Sequence, residues 1–256
     1  AGIFLNDCSH MLAKNLRPML EQETGLPVLG WLPPMAEAVL KSRHLGLYTA
    51  GELENLSARI ARVAELSAEN LDWERLEAVF ARRADRGSRA AVRLPTGVPL
   101  AVARDAAFCF TYGETLDALE AAGGTLRFFS PLEDAALPAD ACGLYLPGGY
   151  PELHAAKLSK NGEMRRSIRE AVERGLPTVA ECGGFLYLGQ SLEDGSGQSW
   201  PMAGVLPGAA VRKQKLVRFG YAELTAEQDS LLLRRGEAVP VHEFHYWDSS
   251  CNGADL

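Results

Sequence analysis

The densest chemistry in the chain lies in Thr178-Val179-Ala180-Glu181-Cys182-Gly183-Gly184-Phe185-Leu186-Tyr187-Leu188, an apolar strand followed by one thiol, two glycines and a helix-compatible run. That order has the shape of a nucleophile elbow. A nucleophile on a sharp strand-to-helix turn needs small neighbours, which Ala180, Gly183 and Gly184 supply. The N-terminus of the following helix is expected to lower the thiol pKa. The side chain would then project from the carboxyl edge of a sheet, where α/β proteins bind ligands. Taken alone, the segment fits a buried structural cysteine before a Gly-Gly turn equally well.

Two other segments carry complementary chemistry. Gly143-Leu144-Tyr145-Leu146-Pro147-Gly148-Gly149-Tyr150-Pro151-Glu152 ends a second strand in a glycine pair. Exposed backbone N–H groups of Gly148 and Gly149 can face the oxyanion formed when a thiolate attacks an amide. Val241-His242-Glu243-Phe244-His245-Tyr246 offers a base and an orienter. Along a strand, Glu243 and His245 share one face. Each segment alone is also compatible with an ordinary turn or an ordinary core histidine. Together they supply a nucleophile, oxyanion donors and a base.

The elements that must hold these groups read as alternating strand and helix: strand Leu100 to Ala103, helix from about Thr115 to Ala121, strands Thr125 to Phe129 and Gly143 to Leu146, helix from about Met164 to Arg174, and strand Pro177 to Ala180. This rhythm predicts an α/β fold, a doubly wound and mostly parallel sheet of flavodoxin-like type. Beyond Gly197 the pattern changes to strands Val211 to Tyr221 and Val239 to Tyr246, an antiparallel extension. Ahead of it, strand Gly2 to Asn6, a helix from about Ser9 to Glu23 and Pro27-Val28-Leu29-Gly30-Trp31-Leu32-Pro33 form a βαβ unit too small to be a whole α/β domain, so the chain is expected to be cut at its front. From Gly51 to about Ala81, Leu53, Leu56, Ile60, Val63 and Leu66 recur at helical intervals. The polar stretch Arg82 to Arg89 is assigned as the linker, with domains over 1–85 and 86–256.

Composition narrows the function classes. With 256 residues, 47% apolar and 23% charged, the chain is globular in type, and no apolar run is long enough to span a membrane. The net charge of −7, with Lys and Arg scattered, lacks the electrostatic footprint of a nucleic-acid binder. Five cysteines with no C-x-x-C pair and no leading signal peptide predict a reducing, cytoplasmic setting and no metal site. Cys8, Cys109, Cys142 and Cys251 are assigned to small apolar packing, and His10, His44 and His154 receive no role, although His44 sits in a distinctive segment.

The motifs Asp105-x-Ala107-Phe108-Cys109-Phe110, Pro147 to Glu152, Ala180 to Gly184 and His242 to Tyr246, in this order and spacing, resemble the cobyrinate a,c-diamide synthases of cobalamin biosynthesis. Gly25 to Pro33, followed by Arg43-His44-Leu45-Gly46-Leu47, resembles the synthetase half of the same family. The resemblance covers nearly the whole chain. It implies a class I glutamine amidotransferase domain preceded by the C-terminal remnant of a P-loop-type, dethiobiotin-synthetase-like ATP-dependent domain.

By that resemblance, Cys182 attacks the glutamine amide to form a γ-glutamyl thioester, His245 moves the proton, and Gly148, Gly149 and Gly183 form the oxyanion hole. His245 is preferred to His242 because the terminal histidine aligns with the related cobyric acid synthases. Many class I amidotransferases carry a glutamate two residues beyond the histidine. Here that place is Trp247, so Glu243 and Asp248 are the candidate orienters beside a bare Cys-His dyad. Ammonia would then amidate the a and c acetate carboxylates of cobyrinate or a related tetrapyrrole, with ATP and magnesium activating the carboxylate. Asn6 is a candidate adenine contact, and His44 could line the tetrapyrrole side. No G-x-x-x-x-G-K-[ST] loop occurs in these residues, so the chain alone is not expected to complete the ATP-dependent step or to hold a cofactor tightly. The partners implied are glutamine, the tetrapyrrole and a missing N-terminal synthetase segment. A homodimer is compatible with the sequence, and the end soon after His245 is earlier than in most relatives. Nickel-sirohydrochlorin a,c-diamide synthases share these motifs, and a silent amidotransferase-like binding module or a Cys-His amidase uses the same constellation.

Overall fold

The structure is a computed structural model that describes residues 1–40, 42–43, 46–48, 50–81 and 96–251. It divides into two compact units, Ala1–Arg89 and Ala90–Leu256. The proposed linker Arg82 to Arg89 lies outside the described residues, as do His44 and Leu45.

In the first unit, β1 (Ile3–Leu5) and β2 (Val28–Trp31) run parallel, joined by α1 (His10–Thr24). The start of α1 is set by Ser9, whose side chain accepts from Leu12 N–H, a cap worth about 1 kcal/mol. Its end is set by Gly25 in the left-handed region at φ 66°. A two-residue pair, β3 (Ser42–Arg43) and β4 (Gly46–Leu47), is antiparallel. The expected single long helix is two, α2 (Leu56–Asn70) and α3 (Trp73–Phe80). The break has a local cause. Leu71 bridges Gly30, Asp72 N–H donates to Leu29 O at 2.8 Å, and the Asp72 side chain caps α3 by accepting from Arg75 N–H. An aspartate that can bond the backbone this way favours a helix start over a helix interior.

The second unit is built on a four-stranded parallel sheet made of β5 (Val98–Ala103), β6 (Gly124–Phe129), β7 (Gly143–Leu146) and β8 (Thr178–Ala180), in the order β6-β5-β7-β8. The connecting helices are α4 (Gly113–Ala121), α5 (Ala155–Lys160), α6 (Gly162–Glu173) and, after β8, α7 (Gly183–Leu188). Numbered within the unit, the strand order is 2-1-3-4, that of the doubly wound flavodoxin-like sheets. Central β5 is read as a continuous apolar run because its end is covered on both faces: Ala101, Val102 and Ala103 are fully buried. Leu144 and Leu146 from β7, Leu158 from α5, Met164 and Ile168 from α6 and Tyr187 from α7 close the core around it. Each large side chain so buried contributes about 1.5–3 kcal/mol.

The C-terminal third departs from the expected antiparallel extension. β9 (Ser191–Glu193), β10 (Ser199–Pro201), β11 (Ala209–Arg212) and a late strand, Trp247–Ser249, form a sheet in which β9 and β11 are parallel. The expected strand Val211 to Tyr221 is interrupted. Its first part is the end of β11, and its second begins β12 (Arg218–Thr225), which among the described residues pairs with β13 (Ala238–His245) in a separate two-stranded ribbon. The chain leaves the ribbon at His245, and Trp247–Ser249 is therefore β14, paired with β11. Two thiols also depart from the assignment to packing: Cys142 and Cys251 are exposed, whereas Cys8 is buried and Cys109 half-buried. Cys142 lies in the loop before β7, its S–H turned to Asp140 O. Cys251 follows β14, the edge strand of its sheet, with its backbone bonded to Ser249 Oγ.

Candidate active site

The turn after β8 places Cys182 at φ 48°, ψ −109°, one of three non-glycine residues with positive φ among those described. A side chain in that region is strained, and the surroundings must hold it there. They do so through backbone hydrogen bonds on both sides: Glu181 N–H donates to Leu146 O at 3.0 Å, Gly184 N–H to Glu181 O at 2.8 Å, and Leu186 N–H to Cys182 O at 3.0 Å. The two glycines after the cysteine are required by close approach. A Cβ on Gly184 would stand 2.1 Å from Leu146 O, and one on Gly183 would stand 2.7 Å from Pro151 Cδ.

The Gly148-Gly149 turn reaches the same spot. A Cβ on Gly148 would lie 3.4 Å from Cys182 Cβ, and Gly149 N is 3.2 Å from where a Gly183 Cβ would stand. The structure thus brings Cys182, Gly183, Gly148 and Gly149 together. The turn is pinned from the far side: Phe110 N–H donates to Gly148 O and Tyr150 N–H to Ala107 O, both at 3.0 Å, with the Phe110 and Tyr150 rings edge to face. Among the described residues no backbone carbonyl accepts from the Gly149 N–H, so this donor is available to a ligand.

Asp105, which opens one of the motifs behind the family resemblance but receives no role from the sequence, anchors this arrangement. Asp105 accepts from Ala107 N–H and Phe108 N–H through Oδ1, and from Ser130 Oγ and Leu132 N–H through Oδ2. It ties the loops after β5 and β6 and so fixes the segment that bonds the Gly148-Gly149 turn. Its position just past the end of a strand, ahead of a run that must turn sharply, is the signal that marks it.

The electrostatics correct one expectation. The Gly183 N–H is directed at the sulfur and does favour a thiolate, but burial among protein atoms and the carboxylates of Glu152 and Glu181 outweigh it, so the Cys182 thiol sits above its ordinary pKa. Solvent still reaches the residue, which is exposed at the mouth of the turn. Burial here describes the atoms packed behind the sulfur. Glu152 is itself buried at 3% exposure, while Glu181 accepts from Tyr145 Oη at 2.5 Å.

The histidine segment lies on the ribbon and its exit. His245 pairs with Arg218 across the ribbon, and its Nδ1 is 2.7 Å from Trp247 O. Glu243, on the same face, forms an ion pair with Arg218 at 3.6 Å. His242 is on the opposite face, edge to face with Phe219 and Tyr221. Asp248 lies in β14 opposite Val211. Among the described residues no hydrogen bond joins the His245 ring to the Cys182 sulfur. Asn6 follows β1 in the first unit, exposed. Among the described residues no group of three or more His, Cys, Asp and Glu side chains is arranged to hold a metal, and no helix is long and apolar enough to cross a membrane.

Residues 99–254 match the model of the CobB/CobQ-like glutamine amidotransferase domain. The chain belongs to that family. It contains the elbow, the double-glycine turn and the histidine segment within the matched residues. Among similar proteins is a cobyrinate a,c-diamide synthase of Synechococcus sp., 41% identical over 254 residues, covering 96% of this chain and 55% of the relative. A cobyrinate a,c-diamide synthase of Caldanaerobacter subterraneus is 40% identical and covers 90% of this chain and 51% of its own. A hydrogenobyrinate a,c-diamide synthase of Brucella anthropi is 37% identical and covers 96% and 56%. The amidotransferase chain thus spans about half the length of these relatives.

Proposed function

We propose that this chain is the glutamine-hydrolysing part of a tetrapyrrole a,c-diamide synthase. The observation that carries the proposal is Cys182, held at positive φ with the Gly183 and Gly149 amides beside it. In the proposed step the Cys182 S–H proton passes to Nε2 of His245 as the sulfur attacks the side-chain carbonyl carbon of glutamine. The resulting oxyanion is received by the N–H groups of Gly149 and Gly183, each worth about 3 kcal/mol when well aligned. Collapse breaks the C–N bond, and the imidazolium returns the proton to the departing ammonia. Water then adds to the γ-glutamyl thioester, giving up a proton to His245, and glutamate leaves as the thiol re-forms.

The raised thiol pKa fits this order of events. A neutral thiol that surrenders its proton only as it attacks needs a base, whereas a preformed thiolate would not. Ammonia would be consumed at acetate carboxylates a and c of cobyrinate, as the names of the relatives suggest. ATP would activate those carboxylates as acyl phosphates. That step is assigned to no residue of this chain, because the residues present include no phosphate loop, and Asn6 remains a proposed adenine contact in the first unit. The proposed domain division, a synthetase-type segment over 1–85 followed by an amidotransferase domain over 86–256, follows the same reading.

The test is glutamate release from glutamine by the chain and by Cys182→Ser. Release that disappears in the variant supports the reading, and equal rates overturn it. One observation favours a second reading, a silent module that binds partners. Among the described residues no hydrogen bond links the Cys182 sulfur to the His245 ring. That reading predicts no cysteine-dependent release at all. The acceptor is decided separately, by offering cobyrinate, hydrogenobyrinate and nickel-sirohydrochlorin to the intact synthase.

A further inference from the structure

We propose that the backbone carbonyl of Trp247 is the positioning group for His245, standing where a triad carboxylate would act. This rests on the glutaminase reading for its role and on the ribbon geometry for its existence. The ring's Nδ1 lies 2.7 Å from Trp247 O. A carbonyl oxygen can only accept, so Nδ1 carries the hydrogen and Nε2 of the neutral ring carries the lone pair. That is the tautomer a general base needs.

The carbonyl is held in place by the fold. β11 and β14 are antiparallel, with Lys213 N–H donating to Tyr246 O at 2.9 Å and Ser250 N–H to Ala209 O at 3.0 Å. Hydrogen-bonded positions alternate along such a ladder, so the intervening pair, Arg212 and Trp247, turns its peptide groups away from the partner strand. β14 is the edge of its sheet, and the Trp247 carbonyl therefore points outward, to where the chain leaves the ribbon at His245. The residue itself cannot swing. Its side chain is buried at 3% exposure, its indole N–H donates to Glu193 O at 2.6 Å, and the Arg212 guanidinium lies 5.7 Å from the ring centroid. The sequence candidates for this task are engaged or placed elsewhere: Glu243 is paired with Arg218, and Asp248 lies one residue further along the edge strand.

The experiment is in two parts on the 256-residue chain. Long-range ¹H–¹⁵N correlation spectra of the neutral His245 ring are expected to show a pyrrole-type Nδ1 and a pyridine-type Nε2. The opposite pattern, or an even mixture, overturns the proposal whatever the activity. Glutamate release is then measured in Glu243→Gln and Asp248→Asn. A triad carboxylate lost in this way costs about 10⁴-fold through the wrong tautomer. Losses under about tenfold in both variants are expected here, and a loss beyond 100-fold in either assigns the task to that carboxylate and overturns the proposal. If Cys182→Ser abolishes nothing, the glutaminase reading fails while the spectra still decide the tautomer, so the two failures are distinguishable.

Discussion

Adding one methyl group at Gly184 should disable the site from behind. In Gly184→Ala the new Cβ would stand 2.1 Å from Leu146 O and 2.7 Å from both the carbonyl carbon and Cβ of Leu146. Those atoms belong to β7, and the same oxygen accepts the Glu181 N–H that shapes the elbow. No rotamer change can relieve the overlap, so α7 must retreat by roughly 1 Å, at a cost of about 3 kcal/mol. In a unit of this size that lowers the melting temperature by about 6–12 °C. The retreat carries Cys182 and the Gly183 N–H away from Gly149, and a displacement of that size costs about 10²-fold in rate. Thermal unfolding followed by circular dichroism, with glutamate release at a temperature where the variant remains folded, gives both numbers. Gly113→Ala is the control, since a Cβ there meets nothing within 4 Å, and it should be neutral or slightly stabilising. A Gly184→Ala protein with unaltered melting and unaltered release would refute the reasoning that this close approach positions the elbow.

Alkylation of Cys182 by iodoacetamide should be slower at neutral pH than that of a model thiol and should accelerate as pH rises past the ordinary thiol range, because burial and two carboxylates favour the neutral form. The folded state then binds this proton more tightly than the unfolded chain, so the same group withdraws stability as pH climbs above the ordinary thiol pKa, and alkaline melts should show it. Glu152→Gln removes one of those charges and should speed alkylation by roughly threefold or more. Asp105→Ala strips four hydrogen bonds from two loops and should cost about 2–4 kcal/mol in denaturant unfolding while also lowering glutamate release. Arg62→Ala, which breaks an exposed pair with Glu65, should change unfolding by no more than about 0.5 kcal/mol.

Much of the doubly wound sheet was legible because its signals are local. Gly143 to Leu146 reads as a strand and is one, and the other parallel strands and helices α4 and α6 agree to within two residues at each end, whereas the short helix α5 was not expected. The elbow was legible for a related reason: the glycine pair after the cysteine is the direct imprint of close approach to the Leu146 backbone and the Pro151 ring. Signals that depend on distant partners were less visible. The break at Leu71 comes from a bridge to Gly30, and the split of the expected strand Val211 to Tyr221 comes from a change of partner between β14 and β13. The direction of the Cys182 shift comes first from burial of the thiol and then from the Glu152 and Glu181 carboxylates, an environment no spacing rule reveals. The Trp247 carbonyl was hidden for a simpler reason, since side-chain identities say nothing about where a main-chain oxygen points.

Among the described residues, the ribbon of β12 and β13 shares no ladder with either four-stranded sheet of its unit. The imidazole is tied to the buried core where the chain passes from His245 into β14, through its ring against Trp247 O and the buried Trp247 indole. On the proposed reading, whatever shifts that junction shifts the imidazole with it, so the hinge-like exit of the ribbon carries more consequence than its length suggests.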